Sequence, residues 1–137
     1  SVDKNPETEN KWSGDIYDLS KRGGDHVCTF SHSSEVALST GTVYVSGEKI
    51  RGDFISNTKI GVDMKIESHM ISDGDFVYSW SSMAPTGFKA KVIEGGSSSA
   101  PESVGFNYNQ KFEYDCNAWN VDSEKFVVPS DVKFTVI

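Results

Sequence analysis

The tightest constraint in this sequence is a strict alternation followed by a turn. In Val62-Asp63-Met64-Lys65-Ile66-Glu67-Ser68-His69-Met70-Ile71, positions 62, 64, 66 and 70 are apolar and positions 63, 65, 67 and 69 are polar. Period 2 puts the two sets on opposite faces of a half-buried β-strand. Ser72-Asp73-Gly74 then turns the chain into Asp75-Phe76-Val77-Tyr78-Ser79-Trp80. Loop length decides which residues share a face, because a one-residue slip inverts a strand. A two-residue Asp73-Gly74 loop would set Phe76, Tyr78 and Trp80 beside Ile71, His69 and Glu67. A three-residue loop with Gly74 in a G1 bulge sets Met70 against Phe76, Ser68 against Tyr78 and Ile66 against Trp80. The second register gathers methionines and aromatics on one apolar face and is the one expected.

The rest of the chain supplies partners for this hairpin. Trp12 to Gly24 reads as the one helix: Ser13 caps its first turn, Trp12, Ile16 and Leu19 form a stripe, Lys21 and Arg22 suit its C-terminal end, and Gly23 stops it. So short a helix needs a sheet to lie on. From Asp25 the pattern is that of an antiparallel meander, with strands at His26 to Ser33, Leu38 to Val45 and Ile50 to Ser56. A two-residue Gly47-Glu48 loop would set Val45 opposite Ile50, Val43 opposite Gly52 and Gly41 opposite Phe54, with Tyr44 beside Arg51 and Thr42 beside Asp53 on the other face. Ala84 to Gly87 reads as a turn, Phe88 to Val92 as a strand, and residues 94–102 as an exposed Gly/Ser loop. Phe106 to Cys116 alternates as a further strand, Asp122 to Lys125 forms one helical turn, Pro129 to Asp131 bends, and Val132 to Ile137 ends the sheet.

The expected fold is therefore mainly β (α+β): a curved antiparallel sheet or unclosed β-barrel of about seven to eight strands with a short N-terminal helix. With 137 residues there is room for one domain. Residues 1–11, polar and poor in large apolar side chains, read as a flexible tether, and 12–137 as a single β domain.

Charge and composition narrow the function. A net charge of −7, with Lys and Arg scattered, repels phosphate backbones, so no nucleic-acid partner is expected. No stretch is long and apolar enough to span a bilayer. The start at Ser1, without a cleavable signal segment, fits a processed protein that meets a membrane only through a removed or lipidated N-terminus. Cys28 and Cys116 have no metal-binding spacing. They read as a disulfide of an exported, extracytoplasmic protein (periplasmic, cell-surface or secreted), with two separate buried thiols as the alternative. His26 and His32 share a strand face but lie roughly 20 Å apart along it, too far for one ion. No metal or other cofactor is expected. The serines make no G-x-S-x-G elbow, and Asp73 and Asp75 sit in a turn, so no catalytic residues and no enzymatic activity are expected.

From the helix through Lys49-Ile50-Arg51 to Ile71-Ser72-Asp73-Gly74 and Phe76-Val77-Tyr78, the order of elements resembles the LolA/LolB-like family of extracytoplasmic lipoprotein carriers, over roughly residues 12 to 93. The resemblance implies an open barrel whose concave side holds acyl chains. Val62, Met64, Ile66, Met70, Phe76, Tyr78, Trp80 and Phe88 would line that side and bind a lipid or acyl-chain ligand. Arg51 matches the family's latch arginine by position, while the hairpin register puts it on the polar face beside Tyr44. The expected function is non-catalytic binding of a hydrophobic ligand in the concavity. The alternative is a structural or adhesion module with a packed interior, acting through surface contacts with a protein partner or with itself.

Overall fold

Nine strands form one open sheet in the computed structural model, which describes residues 11–59, 61, 64–92 and 111–137. Among these residues the strands are β1 (Lys11–Gly14), β2 (Asp25–Ser33), β3 (Ala37–Ser46), β4 (Lys49–Thr58), β5 (Lys65–Ser72), β6 (Phe76–Ser81), β7 (Thr86–Lys91), β8 (Phe112–Ala118) and β9 (Lys133–Val136). Helix α1 spans Ile16–Lys21, and a 3-10 turn spans Ser123–Phe126. The sheet order is β1-β8-β2-β3-β4-β5-β6-β7-β9. The mainly β, unclosed architecture matches the expectation. Most of residues 1–11, the 94–102 loop and Phe106 to Gln110 lie outside the described residues. Lys11 pairs with Asp115, so the domain includes a residue expected in the tether.

Strands β2 to β7 are the antiparallel meander. The β3/β4 hairpin has the expected register, Val45 opposite Ile50, Gly41 opposite Phe54 and Thr42 opposite Asp53, closed by the Gly47-Glu48 loop. The β5/β6 hairpin does not have the expected register. Ile71 faces Tyr78, His69 faces Trp80 and Met70 faces Ser79. Asp73 N–H donates to Phe76 O at 3.2 Å, so the loop is Gly74-Asp75 rather than Asp73-Gly74 or a three-residue bulge. The Asp73 carboxylate fixes this choice by accepting from the N–H of Asp75 at 2.9 Å and of Phe76 at 2.8 Å. Gly74, at φ 97°, takes the first loop position, which favours a residue without a Cβ.

Helix α1 starts at Asp15, not Ser13. The Asp15 carboxylate accepts from the N–H of Tyr17 and Asp18, and Asp18 accepts from the Asp15 N–H at 2.9 Å, a reciprocal capping box. Ser13 and Trp12 belong instead to β1. Ile16, Tyr17 and Leu19 bury against Val43, Val45, Ile50, Met70 and Val77, and the core continues through Phe30, Phe54 and Tyr114. Gly41 and Gly52 leave the space the Phe30 and Phe54 rings fill. Cys28 and Cys116 stand opposite each other on β2 and β8, Cα atoms 4.0 Å apart, and form a disulfide. It closes a loop across a sequence separation of 88, an unfolded-state constraint of about 4 to 5 kcal/mol in the chain-entropy picture.

Beyond β8 the chain must reach the other side of the sheet, because β9 pairs with β7, and in parallel. At ~4.8 Å per strand this is roughly 30 Å of sheet, so residues 119–132 are drawn out into a strap with room for one helical turn. The strap crosses the face away from α1. Trp119 packs at a tilt on Tyr44, centroids 5.1 Å apart, and donates its indole N–H to Val45 O at 3.0 Å, and Phe134 packs edge-on against Tyr78 and Trp80.

Candidate functional site

Strand pairing lines up residues from five strands on the strap face. Thr29 faces Thr42, Thr42 faces Asp53, Asp53 faces His69, and His69 faces Trp80. The neighbouring row runs Thr40, Ile55, Glu67. All of these residues but Trp80, together with Phe30, Gly41 and Phe54, line a groove of about 370 Å3. Further along the same face, Leu38, Asn57 and Lys65 form the following row. With Lys59 and Met64 they line a second depression of about 370 Å3. The surface thus passes from a hydroxyl and carboxylate end to an end with two apolar side chains and two ammonium groups.

The polar end is held by a chain of charges. Arg51 Nε donates to Asp53 Oδ1 at 3.1 Å and to Oδ2 at 3.2 Å, and Nη2 donates to Oδ1 at 2.9 Å. His69 Nδ1 lies 2.7 Å from the same Oδ1. Burial raises the Asp53 pKa, but the hydrogen bonds and charges of His69 and Arg51 outweigh it, so Asp53 is held below the usual carboxylate range. An ionised Asp53 only accepts, so Nδ1 carries the His69 proton, and a neutral ring keeps its lone pair on Nε2. The ring lies against Trp80, centroids 5.3 Å apart at 25°, while the Arg51 guanidinium sits 5.7 Å above the same indole. Arg51 Nη1 also donates to Lys125 O at 3.3 Å, tying the strap to the site.

The residues expected to share one apolar lining are divided between the faces. Met70 is fully buried in the core and Phe88 packs against it. Ile66, opposite Ser56, is half-buried on the same side. Phe76, Tyr78 and Trp80 lie on the strap face, where Lys89 stands over the Phe76 and Tyr78 rings. Met64 is 51% exposed at the edge of the second depression, and Val62 lies outside the described residues. The correction follows from the Gly74-Asp75 loop, which turns every β6 side chain to the other face relative to β5.

Among the described residues, His69 alone of the three histidines is paired with a carboxylate: His26 packs on Trp12 and His32 against Phe112. Among the described residues no group of three His, Cys, Asp or Glu could hold a metal ion. Sequence reasoning placed Thr42 beside Asp53 but missed His69 as their neighbour, because the β4/β5 register depends on the segment 59–64, which has no turn motif of its own.

Neither a protein-family model nor a curated protein nor a solved structure matches this chain.

Proposed function

We propose that this chain is a non-catalytic binding protein of an oxidising, extracytoplasmic compartment, and that it holds its ligand on the strap face. The observation that carries this reading is the cross-strand row Thr29, Thr42, Asp53, His69, Trp80 beside an open groove. Backbone pairing and the Arg51 bonds fix its acceptors in advance, which lowers the ordering cost of binding. Three threonine hydroxyls and the Asp53 and Glu67 carboxylates suit a ligand rich in hydrogen-bond donors. Leu38 and Met64, flanked by Lys59 and Lys65, suit an apolar or anionic end of the same ligand. The compartment rests on the disulfide, which persists where thiols are oxidised. No helix among the described residues is long and apolar enough to cross a membrane. Resemblance to the LolA/LolB-like carriers favours an acyl ligand on the helix face, yet there Met70, Val77 and Ile50 are already packed against α1.

Native mass spectrometry of protein purified without organic solvent tests this. A bound mass present on the wild type and absent from Thr42→Trp, whose indole fills the groove, supports the proposal. A fatty-acyl mass that Thr42→Trp retains would move the ligand to the helix face. Bare protein in both cases would leave the structural or adhesion module as the better reading.

A further inference from the structure

Strand β9 fills a site built to receive it. Its pairing with β7 sets Phe134 opposite Gly87 and Val136 opposite Lys89, and Ile137 N–H donates to Lys89 O at 3.0 Å. A Cβ on Gly87 would stand 2.4 Å from the backbone oxygen of Ser79 and 2.8 Å from the Phe134 ring, so the glycine lets β6 and Phe134 close on it and forms the floor of a notch. Its walls are Tyr78 and Trp80, which meet the Phe134 ring edge-on at 5.4 and 5.9 Å. This is the anatomy of strand addition: main-chain bonds along an edge supply affinity, and one side-chain pocket supplies register.

The segment that supplies β9 is weakly committed to its own domain. Phe134 is the half-buried anchor of β9, whereas Val136 and Ile137 are 71% and 49% exposed. Upstream, Val121 and Val127 are also exposed. Of the seven large apolar side chains most exposed among the described residues, these are four, so water-exposed apolar surface is concentrated in this one segment. The connection from Val127 to Val132 has no helix or strand and contains Pro129.

We infer that the edge of β7 and the Gly87 notch form a strand-acceptor site that takes residues 132–137 of a second copy of this chain as well as its own. Exchange is reciprocal, so the dimer is closed: each copy donates one strand and accepts one, and every β9 contact is kept. Because the linker holds β9 near its own site at an effective concentration on the order of millimolar, exchange is expected when the protein itself reaches that range.

The test uses two single-residue variants of this chain, Lys89→Cys and Val136→Cys, mixed in equal amounts at roughly 1 mM in a glutathione buffer that leaves the native disulfide closed. A bridge between the two different chains requires the β9 of one copy to lie on the β7 of the other. The expected result on a non-reducing gel is a mixed dimer several-fold more abundant than either like-with-like dimer. Adding Phe134→Ala to the Val136→Cys chain should abolish that excess. Excess free peptide spanning Asp131 to Ile137 should do the same to unmodified strands. A mixed dimer no more than twice as abundant as either like-with-like dimer, the ratio that random pairing gives, would overturn the proposal, as would an excess that neither Phe134→Ala nor the peptide reduces.

Discussion

The same strands build two faces that obey different rules. On the helix face Val43, Val45, Ile50, Met70 and Val77 are at most 1% exposed and make an apolar core. One residue along each strand, on the strap face, stand Thr42, Arg51 and His69, and the Arg51, Asp53 and His69 side chains keep 20%, 30% and 29% of their surface. Helix α1 seals the middle of its face, because Asp15 and Gly23 fix where it starts and stops and Ile16, Tyr17 and Leu19 bury against the sheet. The strap is an extended chain and covers only what lies beneath it. Partial cover allows charges to be retained, because a paired and half-hydrated carboxylate avoids the desolvation penalty of a sealed one. The helix face therefore carries stability, and the strap face has room to carry recognition.

Truncation on each face should separate these roles. Ile50→Ala removes three buried carbons from the packed core and should cost about 2 to 5 kcal/mol in urea denaturation. Thr42→Ala, in the groove, should change stability by no more than about 0.5 kcal/mol. Equal losses at the two sites would break the division between the faces.

A smaller effect comes from the charge chain. Asp53 titrates below the usual carboxylate range in the folded protein, so its contribution is fully present above the ordinary unfolded value and is lost as pH falls through the folded one. Stability measured between about pH 6 and pH 2 should therefore fall less steeply for Asp53→Asn than for the wild type. Parallel curves would mean that the Arg51 and His69 bonds contribute nothing to folding, and the row would lose its claim to be fixed in advance.

How far these faces could be read from the sequence depended on where the deciding contact lay. The β3/β4 register was legible because Gly47-Glu48 closes it locally and one pairing alone separates apolar from polar residues. The β5/β6 register turned on which residue opens the loop. Gly74-Asp75 follows the same glycine-then-acid order as Gly47-Glu48, a signal the sequence contains, yet within the hairpin alone pairing the aromatics with the methionines buries more. That burial is supplied instead by Phe134, over fifty residues further on, and period-2 reasoning within a hairpin has no access to so distant a partner. The same limit hid β9's parallel pairing and the insertion of β8 between β1 and β2, which brings Cys116 opposite Cys28. The helix was legible in place but not in its cap, because Asp15 and Asp18 bond each other's backbone more completely than Ser13 could.

The sharpest probe of the contrast concerns a polar atom on the apolar side. Tyr114 is fully buried beneath α1 beside Phe30 and Phe112, and its hydroxyl has no hydrogen-bond partner among the described residues. Burial, reinforced by the nearby Asp15 and Asp18 carboxylates, pushes its pKa well above the usual tyrosine value, so it stays protonated and needs an acceptor. Tyr114→Phe keeps the ring and removes the unsatisfied group, which should raise stability by about 1 kcal/mol by urea denaturation. That gain would identify the helix face as an apolar core that tolerates one polar defect. A loss of similar size would mean the hydroxyl is held by a partner, and that a polar contact reaches even the face where packing otherwise decides everything.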